Sequence, residues 1–203
     1  MNFPISENAC LNNARQLKAD NLRLGLELEK FSLLKEENDK LKEMLQFRVQ
    51  KNIEVEPLEI INVQPSRFRR IIFVNGGAKR GLKKNMFVLD GDRLLLGKIL
   101  RTEDDYSEII LINDPQFSAT VKINDNVGLL KGTLGGMLKV SYIDENQKIN
   151  KDDAVWAVSY YSHVNFLVGK VKQVRKSSNS LFLDITVESA CASHLAKTVF
   201  VIK

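Results

Sequence analysis

The side chains that could carry out catalysis are few and scattered. The chain has two histidines, His163 and His194. A hydrolytic triad needs a nucleophile on an exposed turn, a base and an orienting acid, and Ser162 directly beside His163 does not form that arrangement. No Gly-x-Ser-x-Gly sequence occurs, and the histidines lack the spacing of a metal motif. These patterns predict a protein that is not an enzyme and that uses no metal or cofactor.

Glycines and cysteines give no further chemistry. The segment FVNGGAKRG follows an apolar run without opening a helix, and it lacks the Gly-Lys-Ser/Thr end of a phosphate-binding loop. The chain has 2 cysteines, Cys10 and Cys191, which form no Cys-x-x-Cys pair. We interpret them as two unrelated thiols, and a disulfide between them stays open as the alternative.

Basic residues are in mild excess. Lysine and arginine number 30 against 25 acidic residues, which gives a net charge of +5. Three basic clusters stand out, RFRR at 67–70, KRGLKK at 79–84 and KVKQVRK at 170–176. Such clusters could follow a nucleic-acid backbone or an anionic lipid surface. Solvated strand ends and turns are the commoner explanation of short charge runs.

The sequence gives no sign of a membrane-spanning or exported chain. No apolar run approaches the roughly 20 residues that a transmembrane helix needs, and the first residues lack the layout of a signal peptide. As written, we expect the chain neither to span a membrane nor to direct its own export.

Residues 1–52 are predicted to form a coiled-coil helix. From position 6 to position 50 the sequence has no proline, and its apolar residues recur in steps of three and four, or of seven where Asn21 or Asn38 takes a place. Such a narrow seam is typical of a self-associating coiled coil, whereas a helix folded back on the rest of the chain is the alternative. The predicted self-association residues are Leu17, Leu24, Leu28, Phe31, Leu34, Leu41 and Leu45.

The remaining residues predict a mainly β fold, with two tandem small β-barrels after the helix. Short apolar runs recur every 8 to 15 residues or so, separated by Gly, Asn and Asp, with no long helix among them. The segment LLLGKILRTEDDYSEIILIND resembles FLVGKVKQVRKSSNSLFLDIT, which places Gly97 opposite Gly169. Glycines inside strands mark a bend or bulge. We predict barrels at 53–124 and 125–203, with chance similarity between short β-runs as the alternative.

The segment SYYSHVNF is the candidate partner-binding surface. Tyr160, Tyr161 and Phe166 bring three aromatic rings into eight residues of a polar loop, and clustered aromatic residues on loops often carry binding energy. One of the two tyrosines could instead point into the barrel. Trp156, in the apolar run VWAV, is predicted to be a core residue.

The order of these segments resembles the MreC family, which determines rod shape in bacteria. The matching residues are LKEENDKLKEML, QPSRFRRIIFVNGGAKRGLKKNMFVLDGDRLLLGKI, SEIILINDP, VGLLKGTLGGMLKVSYI and NKDDAVWAVS followed by FLVGKVKQV. They include the Pro-Ser-x-aromatic-Arg run of the family and a strand that ends in a turn acid.

The resemblance implies a scaffold of the cell-wall elongation machinery outside the inner membrane. Such a protein self-associates through its coiled coil and binds a penicillin-binding transpeptidase, with MreD and the cytoskeletal protein MreB as other partners. The family usually begins with a membrane-spanning helix, which is not in this sequence. Its second barrel usually has a Thr-Ser-Gly turn where this chain has residues 157–160, Ala-Val-Ser-Tyr.

The sequence leaves two alternative functions open. A nucleic-acid-binding β-barrel protein dimerised by a coiled coil would explain the basic clusters, but the aromatic residues on which bases stack are sparse near them. A degenerate hydrolase on a double β-barrel is disfavoured by the missing triad.

Overall fold

The computed structural model describes residues 7–51, 53–65, 69–159, 162, 164–176, 181–191 and 197–203. Within these residues one long helix precedes twelve strands. The elements are α1 (Glu7–Lys51), β1 (Val55–Pro65), β2 (Arg70–Val74), a 3-10 turn (Ala78–Arg80), β3 (Phe87–Leu89), β4 (Leu95–Thr102), β5 (Ser107–Leu111), β6 (Ser118–Ile123), β7 (Asn126–Gly132), β8 (Leu138–Ser141), β9 (Ala154–Val158), β10 (Asn165–Arg175), β11 (Asp184–Ser189) and β12 (Thr198–Ile202).

Helix α1 forms where the sequence has no helix breaker other than Gly25. Its surface carries ion pairs one turn apart, such as Lys40 Nζ to Glu36 Oε1 at 2.9 Å, which add a few tenths of a kcal/mol each. The chain divides into two compact units, Met1–Glu43 and Met44–Lys203. The last two turns of α1 therefore belong with the β-structure that follows.

The strands form two closed antiparallel barrels of six strands each, as the sequence predicted. The first barrel has the order β1-β12-β3-β4-β5-β2, and the second has the order β10-β11-β8-β7-β6-β9. Closure leaves neither barrel with a free edge strand.

The predicted boundary between residues 124 and 125 needs a correction. It falls in the tight turn between β6 and β7, where Ile123 pairs with Asn126. Because β6 also pairs with β9, it belongs to the second barrel. The C-terminal strand β12 pairs with β1 and β3 and so closes the first barrel. The first barrel is thus the five consecutive strands β1 to β5 plus the C-terminal strand β12, whereas the second barrel is the six consecutive strands β6 to β11.

Equivalent strands of the two barrels share a β-bulge. In the pairing of β3 with β4, Val88 lies opposite Gly97 and Leu89 opposite Leu95, so one extra residue bulges before the glycine. The pairing of β9 with β10 shifts in the same way just before Gly169. A Cβ atom on Gly97 would collide with the carbonyl oxygen of Ile110, and one on Gly169 with that of Glu188. The predicted correspondence of these two glycines is therefore confirmed by their geometry.

The core of the first barrel consists of buried apolar side chains from all six of its strands, together with two residues between the 3-10 turn and β3. Its members are Leu58, Ile72, Val74, Leu82, Met86, Val88, Leu96, Ile99, Ile109, Val199 and Val201. Strand β3 is buried on both faces. Strands β6 and β9 of the second barrel alternate between buried and more exposed positions, which is the pattern of a strand with one face in the core.

Candidate functional site

The predicted seam of α1 is exposed in the single chain. Five of its side chains are more than half exposed, Leu24, Leu28, Phe31, Leu34 and Leu45, at 52 to 70 %. Leu41 is half-buried, and Leu17 lies within α1 but its side chain is outside the described part. Met44, which the seam does not include, is buried at 3 % exposure.

Phe166 is a packing residue, which corrects its prediction as an exposed partner contact. It is 2 % exposed, and its ring lies edge to face against Phe87 of β3, with the ring centroids 6.2 Å apart. Aromatic pairs of this geometry contribute about 1 kcal/mol beyond their buried area. Phe166 therefore fixes the second barrel to the first. Tyr160 and Tyr161 lie outside the residues that the structure describes.

A lysine adds a second link between the barrels. Lys98 of β4 donates from Nζ to the backbone oxygen of Ser118, the first residue of β6, at 2.7 Å. Its ammonium group also lies 5.5 Å from the ring centroid of Phe117. Burial and the nearby positive charge of Lys84 lower the pKa of Lys98.

The connection between the barrels is held by a buried carboxylate. Asp114 is fully buried and accepts from the backbone N–H groups of Arg70 at 2.6 Å and Gln116 at 2.8 Å. The guanidinium of Arg70 donates to the backbone oxygens of Asn113 and Leu134, at 2.9 and 3.3 Å. One arginine at the start of β2 thereby reaches the turn between β7 and β8 of the other barrel.

Each basic cluster is partly neutralised by acidic side chains, which does not favour a nucleic-acid surface. Each of the three clusters has a member in an ion pair. These pairs are Arg69–Asp114 at 3.2 Å, Lys79–Asp105 at 2.8 Å, Arg80–Glu56 at 2.5 Å and Lys172–Glu188 at 3.9 Å. Burial raises the pKa of Glu56, but the hydrogen bonds and charges of Lys203 and Arg80 outweigh it and leave that pKa lowered.

A groove of about 840 Å³ lies where the end of α1, the turn between β3 and β4, and the second barrel meet. We call it the inter-barrel groove. Its lining residues are Phe47, Asp92, Arg93, Leu94, Lys122, Asn124, Trp156, Val164, Asn165, Phe166 and Leu167. The guanidinium of Arg93 lies 5.7 Å from the ring centroid of Phe47, so the helix end and the β3–β4 turn contact each other there.

Trp156 faces this groove and is not the core residue that its apolar neighbours suggested. It is 40 % exposed, whereas Val155 and Ala157 on either side are fully buried. Strand alternation explains the difference, because successive side chains point to opposite faces. The alternation along the strand could have predicted that Trp156 points away from the core. The other groove residues Lys122 and Arg93 belong to no sequence motif that could have identified them.

In the part of the chain that the structure describes, no group of three or more His, Cys, Asp or Glu side chains could hold a metal ion. Both histidines, His163 and His194, lie outside the described residues. Burial and the carboxylate of Asp90 raise the pKa of the Cys191 thiol to about 12, which makes that thiol a poor nucleophile.

A family model described as the barrel core of the rod shape-determining protein MreC matches residues 60–203. The chain belongs to the MreC family. The match begins within β1 and covers the rest of both barrels and the inter-barrel connection, and it confirms the resemblance that the sequence motifs indicated. MreC proteins determine cell shape, and membership of the family assigns this chain a scaffold role in that process.

Solved MreC structures share the fold. One MreC structure has a TM-score of 0.70 at 22 % identity and covers 84 % of this chain and 99 % of its own. The major periplasmic domain of MreC, described as a cell shape-determining filament, has a TM-score of 0.66 at 19 % identity, covering 74 % of this chain and 95 % of its own.

A third MreC structure comes from a complex with penicillin-binding protein PBP2 of Helicobacter pylori. It has a TM-score of 0.61 at 16 % identity and covers 74 % of this chain and 97 % of its own.

None of the curated proteins compared with the chain matches it. In the part of the chain that the structure describes, no helix combines the length and apolar character needed to cross a membrane.

Proposed function

We propose that this protein is a non-enzymatic scaffold that self-associates through α1 and presents its double barrel to a penicillin-binding transpeptidase. It acts on the extracytoplasmic side of the inner membrane, where it couples cell-wall synthesis to rod shape. MreD and the cytoskeletal protein MreB are further partners that the family resemblance implies.

The observation that carries self-association is the exposed seam. Five apolar side chains repeat along one helix and are each more than half exposed in a single copy. Burying one such side chain against a second helix yields about 1.5–3 kcal/mol. Asn21 and Asn38 occupy seam positions in the sequence, and an asparagine in a coiled-coil seam fixes register and strand number.

Analytical ultracentrifugation tests the seam. We expect the wild-type protein to be a dimer or higher species at tens of micromolar, and Leu24→Asp with Phe31→Asp and Leu41→Asp to make it monomeric. The matched control makes the same change to aspartate at three leucines outside the seam. These are Leu22, Leu26 and Leu33, which are also more than half exposed. A monomeric wild type refutes self-association, and dissociation by the control set alone places the interface on another face of α1.

Support for a transpeptidase partner comes from the similar MreC of Helicobacter pylori, which forms a complex with PBP2. The links between the barrels, Phe87–Phe166 and Lys98–Ser118, give the double barrel a defined surface for such a partner. Calorimetric titration with the periplasmic part of the transpeptidase from the same organism measures the interaction directly. No heat of binding at any salt concentration would refute this part of the proposal.

A further inference from the structure

The inter-barrel groove has the size and composition of a binding site. Its volume of about 840 Å³ lies within the range of roughly 300–1,000 Å³ that is usual for ligand-binding clefts. Aromatic and aliphatic side chains form much of its wall, namely Phe47, Leu94, Trp156, Val164 and Leu167. A groove of this type can receive one apolar side chain or a short segment of a partner.

Trp156 lines this groove and has the properties of a residue that contributes strongly to binding. It is the chain's 1 tryptophan, it is 40 % exposed, and it lies directly opposite Leu167 on one neighbouring strand and Lys122 on the other. Tryptophan is enriched among the residues that dominate binding energy at interfaces. The strand pairing on both sides fixes its backbone, so little conformational freedom is lost when a partner binds.

Two cationic side chains line the groove together with the tryptophan. Lys122 and Arg93 line the groove, and among the described residues neither takes part in an ion pair. Asp92 is the acidic residue of the lining, so the formal charge of the groove is positive. Positive charge next to exposed apolar surface is complementary to a carboxylate that stands beside an apolar side chain.

The backbone at Arg93 is held in an unusual conformation. Its φ angle is 65°, in the left-handed region that glycine and asparagine occupy most easily. Asp90 fixes this turn, because its Oδ1 accepts from the backbone N–H groups of Asp92 and Leu94, both at 2.9 Å. These two hydrogen bonds fix the backbone from which the Arg93 side chain extends.

We propose that the inter-barrel groove binds a segment of the partner protein that carries a carboxylate beside an aromatic or aliphatic side chain. The apolar side chain packs on Trp156 and Leu167, and the carboxylate pairs with Lys122 and Arg93. This inference rests on the proposed transpeptidase partnership and names the surface of this chain that serves it.

Calorimetric titration with the periplasmic part of the transpeptidase tests the groove with three variants. We expect Trp156→Ala, Lys122→Glu and Arg93→Gly each to weaken binding tenfold or more. Arg93→Gly is the sharpest of the three, because glycine suits a positive φ and so the melting temperature should hold or rise while affinity falls. Lys122→Glu should also flatten the dependence of affinity on salt.

Matched controls lie elsewhere on the second barrel. Tyr142→Ala removes an exposed aromatic residue, 58 % exposed, that also has a positive φ of 68°. Lys131→Glu makes the same charge reversal on β7, next to β6. Neither residue lines the groove, and both variants should bind within twofold of the wild type.

A spectroscopic measurement identifies the site independently of the variants. Protein that incorporates 5-fluorotryptophan gives a single fluorine resonance, which should shift or broaden when the unlabelled transpeptidase is added. Wild-type binding with unchanged affinity in all three groove variants and an unmoved fluorine signal would overturn the groove and leave the partnership intact. A wild-type protein that does not bind the transpeptidase would overturn both.

Discussion

The Nε atom of Arg69 lies 3.2 Å from Oδ2 of Asp114, a carboxylate with no exposed surface at the connection between the two barrels. In the sequence these residues belong to separate patterns that resemble the MreC family, the arginine after Pro-Ser-x-aromatic and the turn acid that ends a strand. The structure joins them into one network, because Asp114 also accepts the backbone N–H of Arg70 and that of Gln116. The two sequence patterns thus share one physical role, which is to stabilise the connection between the two barrels.

Asp114→Ala should lower the free energy of unfolding by about 3 kcal/mol, since removing one partner of a buried ion pair leaves the other charge and two N–H groups without an acceptor. Asp114→Asn retains one acceptor oxygen and should cost less. Urea titration followed by circular dichroism measures both. Equal stability of the alanine variant and the wild type would show that this network does not stabilise the fold.

Gly97→Ala and Gly169→Ala should each destabilise the double barrel by roughly 2 kcal/mol or more. The added methyl group would meet a backbone oxygen of the adjacent strand in both cases, the oxygen of Ile110 for Gly97 and that of Glu188 for Gly169. Gly25→Ala is the control, because nothing lies within 4 Å of its Cβ position.

Thermal melting monitored separately at helix and strand wavelengths distinguishes these glycines. Gly25→Ala should strengthen the helix by about 1 kcal/mol, the usual difference between glycine and alanine in a helix. If the strand glycines tolerated alanine as Gly25 does, the bulges would not require the close approach of the backbones.

The thiol of Cys191 should resist alkylation near pH 8. Its Sγ lies 3.3 Å from Oδ2 of Asp90, and burial together with that carboxylate raises its pKa to about 12. The ordinary thiol pKa is about 8.5, so the thiolate fraction should be roughly a thousandfold lower than that of a free cysteine. In a Cys10→Ser background, mass spectrometry after iodoacetamide treatment reads Cys191 alone.

Asp90→Asn removes the nearest carboxylate and should therefore lower the pKa of Cys191 and speed its alkylation. Burial and the negative charge of Asp92 remain, so the rate should stay below that of a free thiol. A rate in the wild type that already equals that of a model thiol would contradict the raised pKa.

The local elements and the two barrels could be predicted from the sequence, but the strand that closes the first barrel could not. The helix follows from apolar spacing without proline, and the bulges follow from glycines at matching places in a repeated segment. Strand β12 pairs Thr198 with Glu59, across nearly the whole barrel region, and no local pattern records such a pairing. Asn124 and Asp125 are typical turn residues, and a turn can lie either within one barrel or between two barrels. The sequence alone therefore places the boundary at residue 124.

The candidate site shows the same division between local and distant information. Phe166 stands beside a polar loop in the sequence, yet its environment is set by Phe87, which lies 79 positions away and in the other barrel. Trp156 is the converse case, since its neighbours are apolar but its own strand face is partly open. Burial across an interface depends on which strands meet, and the sequence specifies that only through the complete fold.

The last prediction concerns the two tyrosines of the candidate partner-binding segment. Tyr160 and Tyr161 lie outside the residues that the structure describes, and in the sequence they shortly precede Val164 and Asn165, which line the groove. We expect Tyr160→Ala with Tyr161→Ala to weaken transpeptidase binding by roughly 2 kcal/mol or more, the usual scale of an interface hot spot. Calorimetric titration measures the loss, and thermal melting is the control for folding. An unchanged affinity with an unchanged melt would move the binding surface away from this loop, whereas a large drop in melting temperature would mean that a tyrosine packs inside the barrel.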